Sequence, residues 1–256
     1  MNTPPARAII LAAGRGSRLR PLTDTTPKPL VPAGEKTLIE HGLSLLKAHG
    51  ITDVVINVHH LREKILAALG DGSQLGMRLH YSIEEELLDS GGGIRQAAEC
   101  MAREAPDADP DAPLLVLNAD VVTDVSLTAL LEEHKQSRAG ITLVLRDDPK
   151  AASYGLFGVD AENRIRRFLG QGEPAADLRE YMFASVQVLQ PEVLDRMPPE
   201  GPFSTMRGLY PELFAQGLAF QGFVHTGRWY TSDTPEDLQS LEAGLRRDGP
   251  LVFPQK

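Results

Sequence analysis

Between Leu11 and Leu30 the chain concentrates residue types that bind phosphate. The stretch reads Leu11-Ala-Ala-Gly-Arg-Gly-Ser-Arg-Leu-Arg20 and, after six intervening residues, Pro27-Lys-Pro-Leu30. Gly14 and Gly16 let successive backbone N–H groups converge as an anion nest. Arg15, Arg18 and Arg20 add forked donors that match phosphate oxygens. Lys28 stands between two prolines that restrict its backbone, so its charge is partly pre-positioned. Together these residues make a polyphosphate cradle. Two familiar phosphate loops are excluded: G-x-G-x-x-G fails because Leu19 stands at the third glycine, and G-x-x-x-x-G-K-[ST] is absent.

A carboxylate completes this chemistry. Asp120 ends the apolar run Leu114-Leu-Val-Leu-Asn-Ala-Asp, where a strand-tip carboxylate is placed to hold Mg2+ against a triphosphate. Magnesium takes one or two carboxylates with phosphate oxygens and water. Ser90-Gly-Gly-Gly93 opens a helix and lets backbone approach a flat base or ribose, although an ordinary loop is an equal reading of the triplet alone. Glu84-Glu-Glu86 reads equally as a solvated acidic run. His59 and His60 have no carboxylate beside them at zinc-ligand spacing. Cys100, the single cysteine, excludes an intrachain disulfide and a cysteine-based zinc cluster, which suits a reducing compartment.

To bring these groups together the chain must alternate strands and helices. Strands are expected at Ala8–Leu11, Asp53–Val58, Arg78–Ser82 and Leu114–Asn118, with helices at Thr37–His49, Leu61–Leu69, Gly93–Glu104 and Leu127–Ser137. This order predicts an α/β fold with a doubly wound, mostly parallel, Rossmann-like mixed sheet. Ligands of such sheets sit beyond the carboxyl ends of strands, so the glycine turn and Asn118-Ala-Asp120 face one crevice. Gly140–Arg146, Gly155–Val159, Arg164–Phe168 and Met182–Leu189 read as later strands, in part antiparallel, with Asp160–Asn163 as a hairpin turn. Residues 105–112 read as an exposed connector, and Thr234-Pro-Glu-Asp starts a helix over Pro235–Arg247.

At 256 residues the chain is expected to be one domain over 1–256. A composition 42% hydrophobic and 24% charged is that of a globular protein. The net charge of −9 argues against a nucleic-acid partner bound through a broad basic face. Anionic substrates must instead meet a local positive pocket, which Arg15, Arg18, Arg20 and Lys28 would supply. The apolar run at 8–13 is too short for a secretory signal and no stretch suits a membrane span, so no membrane partner and a cytoplasmic location are expected.

Leu11-Ala-Ala-Gly-Arg-Gly-Ser-Arg-Leu19 followed by Pro27-Lys-Pro-Leu30 resembles the opening signature of the sugar-1-phosphate nucleotidyltransferases. The likeness continues through Val55-Ile-Asn-Val-His-His-Leu61, Tyr81-Ser-Ile-Glu84, Leu88-Asp-Ser-Gly-Gly-Gly-Ile94 and Leu117-Asn-Ala-Asp-Val121. It is strongest with short bacterial members acting on mannose 1-phosphate or N-acetylmuramate 1-phosphate. The resemblance implies the nucleotidyltransferase (glycosyltransferase-A-like) fold, with a nucleotide-binding half at about 7–125 and a sugar-phosphate-binding half at about 140–247. It implies Mg2+-dependent transfer of a nucleoside monophosphate from a triphosphate to a sugar 1-phosphate. It places Leu11, Ala12, Ala13, Gly14, Gly16 and Arg18 on the nucleotide, Lys28 on phosphates flanking the reacting centre, and Asp120 on the metal. Gly91 and Gly92 fall in its base-binding loop, Glu84 where the base edge is read, and Tyr154 and Gly155 at its sugar contact. His59 and His60 would flank the sugar pocket. A carboxylate at Glu84 accepts but cannot donate, which favours guanine or uracil, and hence GTP or UTP, over adenine. How many copies associate into a homo-oligomer is left open.

Three departures fall on the sugar and metal side. Thr231 stands where the family carries its second metal-binding aspartate; Asp233, two residues on, is the substitute, and its other reading is a helix cap. Phe183-Ala-Ser-Val186 replaces a Phe-Thr-Gly-Val type of turn. Phe168-Leu-Gly-Gln-Gly-Glu-Pro174 lacks the lysine that relatives use on the sugar phosphate, leaving Arg166 or Arg167 to replace it. A rival reading is therefore a nucleotide- or NDP-sugar-binding regulatory subunit with weakened catalysis.

Overall fold

The apolar run that follows Arg7 becomes the middle of a sheet. The computed structural model describes residues 7–104, 109–149, 151, 155–172 and 177–253. Its strands are β1 (Arg7–Leu11), β2 (Pro32–Ala33), β3 (Lys36–Thr37), β4 (Asp53–Val58), β5 (Arg78–Ile83), β6 (Leu114–Asn118), β7 (Val121–Thr123), β8 (Ile141–Arg146), β9 (Phe157–Val159), β10 (Ile165–Phe168), β11 (Arg179–Leu189), β12 (Phe220–Val224) and β13 (Trp229–Thr231). Its helices are α1 (Leu22–Thr25), α2 (Leu38–Ala48), α3 (Arg62–Leu69), α4 (Asp89–Glu104), α5 (Leu127–Ser137), α6 (Tyr210–Ala215) and α7 (Pro235–Asp248).

β1 lies between β4 and β6, parallel to both, and β5 continues parallel beyond β4. On the other side β11 runs antiparallel to β6 and to β8, and β12 pairs parallel with β8. The first residues of β11 pair with β9, which forms with β10 the expected antiparallel hairpin around Asp160–Asn163. Side chains alternate across the sheet, and helices cover both faces. Ile10 packs in one core cluster with residues of α2, α3 and α5; Ile9 packs in the other with residues of α4 and α6. Both isoleucines are essentially unexposed, and burying such a side chain is worth up to about 1.5–3 kcal/mol. The mixed, doubly wound sheet read from the sequence is thus the one observed. Among the described residues no helix is long and apolar enough to cross a membrane.

Local signals start the helices. Thr37 and Glu40 form a capping box at α2, Ser126 caps α5, and Thr234 with Asp237 boxes α7, whose first residue is proline. One boundary differs from expectation: α4 begins at Asp89 and takes the glycine triplet into its first turns. Glycine disfavours helix by about 1 kcal/mol per residue, but here packing decides, as the site shows.

Candidate functional site

Two neighbouring clefts open at the carboxyl edge of the parallel strands, and Asn118 and Asp120 line both. The first, about 570 Å³, is bounded by Leu11, Ala13 and Gly14 after β1, Asn57 of β4, Glu84 after β5, Asp89 and Ser90 of α4, and Pro202 and Arg207. The second, about 340 Å³, is bounded by Arg18, Phe157, Leu169, Phe183, Ser185, Met206, Thr231 and Asp233. Sheet topology thus sets the glycine turn and Asp120 around one crevice.

Among the described residues, the N–H groups of Ala13, Gly14, Arg15 and Gly16 donate to no protein acceptor. A row of free amides at a cleft mouth is an anion nest. Gly16 has φ +62°, and a Cβ there would stand 3.0 Å from Lys28 Cβ and from Thr23 Cγ2. Glycine is therefore required for both backbone shape and the close passage of Lys28. Thr23 Oγ1 donates to Gly16 O at 2.8 Å, and His60 Nε2 lies 3.1 Å from Thr23 O, so this histidine braces the turn.

Four charges meet where the clefts join. Lys28 Nζ lies 2.5 Å from Asp120 Oδ2 and 2.9 Å from Asp233 Oδ1, while Arg18 Nη2 lies 2.9 Å from that same Asp233 oxygen. Burial opposes the charge on Lys28, but the two carboxylates more than offset it, so its pKa stands above the ordinary lysine value. Asp233 reaches the cluster by way of β13, which pairs antiparallel with β7 and sets Thr231 opposite Val121. Ser232 Oγ then donates to Asp120 O at 3.0 Å. Thr234 is the N-cap of α7, so the reading of Asp233 as that cap is set aside. Two carboxylates converging on one cation beside a phosphate nest have the donor chemistry magnesium takes. Among the described residues no group of three or more His, Cys, Asp or Glu side chains could hold a metal ion unaided. A metal held here would therefore draw its remaining ligands from phosphate and water.

A buried relay joins the first cleft's loops. Asn57 Oδ1 accepts from Ala12 N at 2.6 Å, Asn57 Nδ2 donates to Glu84 Oε1 at 2.6 Å, and Glu84 Oε2 accepts from Leu88 N at 3.0 Å. Glu84 is only 1% exposed, unlike the exposed Glu85 and Glu86. Burial raises its pKa, and the Leu88 N–H and Asn57 amide counter that in part. Each Glu84 oxygen thus accepts from a protein donor, so the residue braces one loop against another while it lines the first cleft. His59 Nδ1 lies 3.0 Å from Glu84 O in the same brace.

The fold itself needs the glycine triplet. A Cβ at Gly91 would come within 2.1 Å of Phe203 Cε2, at Gly92 within 2.9 Å of Gly201 O, and at Gly93 within 2.6 Å of Asn57 Nδ2. Gly91 N also donates to Phe203 O at 2.8 Å. The missing Cβ atoms make room for the chain itself; Asp89 and Ser90, just before, are what face the cleft.

On the sugar side, Tyr154 lies outside the described residues. Gly155 has φ +93°, and a Cβ there would stand 2.5 Å from Leu169 Cδ2, so it backs a residue that lines the second cleft. Arg166 Nε donates to Asp160 Oδ2 at 2.8 Å and Arg167 pairs with Glu180, and neither lines the second cleft. Arg20 pairs with Asp24 at 3.1 Å and Arg15 is exposed. Of the expected cationic cluster, Arg18 and Lys28 are the members that meet at the clefts. Sequence reasoning missed Asn57, Phe203 and Arg207. An asparagine inside the apolar run Val54–Val58 was the available signal for the first; the other two carried none.

The family model described as Nucleotidyl transferase matches residues 7–240. The chain is 34% identical over 251 residues to a mannose-1-phosphate guanylyltransferase of Mycobacterium tuberculosis, covering 96% of this chain and 66% of that protein. It is 34% identical over 240 residues to an N-acetylmuramate alpha-1-phosphate uridylyltransferase of Neisseria meningitidis, covering 93% and 97%. A UTP--glucose-1-phosphate uridylyltransferase of Synechocystis is 30% identical, and the chain spans 64% of its length. The chain thus spans just under two thirds of two of these relatives and nearly all of the third. In fold it matches the crystal structure of HddC from Yersinia pseudotuberculosis complexed with GMP-PN, with TM-score 0.75 and 18% identity over 94% of this chain and 99% of that one. The motifs, the sheet and these matches agree: the chain belongs to the nucleotidyl transferase family.

Proposed function

We propose that this protein transfers a nucleoside monophosphate from GTP or UTP to a sugar 1-phosphate, releasing pyrophosphate and an NDP-sugar. The observation that carries the reading is the meeting of two clefts at Asp120, with Lys28 against its carboxylate. One cleft holds the triphosphate and its base, the other the sugar 1-phosphate. An oxygen of the sugar phosphate attacks the α-phosphorus in line, the bond to the β-phosphate oxygen breaks, and pyrophosphate leaves. No covalent protein intermediate is required, and catalysis is positioning and charge neutralisation. The amides of residues 13–16 and Arg18 hold the triphosphate, with Leu11 and Ala12 forming the floor behind them. Gly91 and Gly92 shape the base wall through the packing of Phe203. Lys28 exchanges its carboxylate partners for phosphate oxygens at the reacting centre. Asp120 and Asp233 would hold Mg2+, which when bound neutralises phosphate charge. The restriction to GTP or UTP rests on the names of the relatives.

Pyrophosphate release across a panel of sugar 1-phosphates with each triphosphate tests this reading. Turnover is expected for at least one pair. Asp120→Ala should lower kcat at least roughly a hundredfold in a protein that still folds, and Lys28→Ala should lower kcat roughly a hundredfold rather than raise KM alone. NDP-sugar binding without release for any pair would overturn the transferase reading in favour of a regulatory subunit.

A further inference from the structure

The second cleft contains a residue whose backbone is held in a conformation its side chain disfavours. Ser185 has φ +62°, a region L residues other than glycine rarely adopt. It sits where the pairing of β11 with β8 breaks register between Phe183 and Gln187. Glycine would take this conformation freely, so a serine needs a reason. Its neighbours fix the kink: Ala184 O accepts from Trp229 Nε1 at 3.0 Å, and Ala184 and Val186 are buried in the core. Phe183 and Ser185 both line the cleft.

The hydroxyl itself does nothing for the fold. Among the described residues the Ser185 hydroxyl has no hydrogen-bond partner, and neither do the side chains of Asn118 and Thr231, which line the same cleft. These three short polar side chains are set among Phe157, Leu169, Phe183 and Met206. That mixture matches a pyranose ring, which offers apolar C–H faces and a rim of hydroxyls. Leu169, with φ +47°, also lines this wall, but with Gly170 it forms the two-residue turn closed by Phe168 and Gln171, which itself requires positive φ. Ser185 sits inside a strand with no such turn to account for it.

We propose that Ser185 is a specificity-determining residue whose Oγ hydrogen-bonds one ring hydroxyl of the sugar moiety, so that this position discriminates a hydroxylated sugar from its deoxy analogue. The proposal rests on the reading of the second cleft as the sugar site. It explains why serine stands at a turn that a glycine would form with less strain.

Calorimetric titration with NDP-sugars and matched monodeoxy analogues tests it, using wild type, Ser185→Ala and Ser185→Gly. Loss of one neutral hydrogen bond predicts roughly three- to tenfold weaker binding of the parent NDP-sugar by both variants. The analogue lacking the contacted hydroxyl should bind all three proteins alike, and the bare nucleoside diphosphate should be unaffected. Ser185→Gly should also melt higher than Ser185→Ala, which reports the backbone conformation independently. Equal affinity of wild type and Ser185→Ala for the parent sugar, or an equal loss across every deoxy analogue, overturns the proposal. Absence of pyrophosphate release with the Ser185 pattern intact would instead sink only the transferase reading.

Discussion

Glu84→Gln separates a carboxylate that reads a base from one that braces a loop. Both Glu84 oxygens accept from protein donors, Oε1 from Asn57 Nδ2 at 2.6 Å and Oε2 from Leu88 N at 3.0 Å. Glutamine offers one acceptor oxygen and one NH2, so one of these two donors must face a donor. A buried donor left without its acceptor costs about 1–3 kcal/mol. Burial holds the Glu84 pKa above the ordinary carboxylate range, so removing the charge recovers part of a desolvation penalty. The net loss should therefore be about 1–2 kcal/mol, or roughly 3–6 °C in Tm for a chain of this size. Asn57 also holds Ala12 N at 2.6 Å, so disturbance at Glu84 loosens the phosphate turn. Urea unfolding at neutral pH should show the stability loss. Triphosphate titrations should show affinity weakened for GTP and UTP alike, with their ratio within about twofold of wild type. An undiminished midpoint together with an altered GTP to UTP ratio would refute the reasoning, because a residue that reads the base changes preference without unsettling the fold.

Two glycines with opposite surroundings give opposite expectations. Gly91→Ala should lower stability by about 2 kcal/mol in urea unfolding, despite alanine's better helix propensity, because its Cβ would stand 2.1 Å from the Phe203 ring. Gly14→Ala has nothing within 4 Å of its Cβ, so it should unfold within about 0.5 kcal/mol of wild type while binding triphosphates more weakly. The buried imidazole of His134, whose Nδ1 lies 2.7 Å from Thr142 Oγ1, is held down to about 4 by desolvation. Between that value and the unfolded value near 6.5 the unfolded chain binds a proton the folded chain refuses, so stability falls as pH drops through this window and is fully present above it. The loss should approach about 3 kcal/mol near pH 4, and His134→Gln should flatten the melting-temperature profile across the same range.

Features encoded locally were the legible ones. The apolar run before the glycine turn, the alternation of elements and the Thr234 capping signal each depend on neighbours in sequence, and β1, α5 and the start of α7 follow from them. The charges were legible as types but not as pairs. Arg18 and Lys28 meet Asp233 only because β13 pairs with β7, whereas Arg20 folds back on Asp24 and Arg166 turns to Asp160. Nothing in a single sequence ranks those partners, since each arginine has an acid within reach along its own segment. The glycine triplet shows the same limit more sharply. Its spacing invites a ligand, and its actual neighbours are Phe203 and Gly201, brought back by a segment from the far half of the chain. Ser185 makes the converse case. The residue type was visible as a departure from the usual turn, yet only the φ of +62° shows that the backbone there holds the left-handed shape glycine favours. A side chain that its own backbone disfavours, and whose hydroxyl no described protein group engages, is left facing the cleft, which is why the variants at this position must be read by binding as well as by stability.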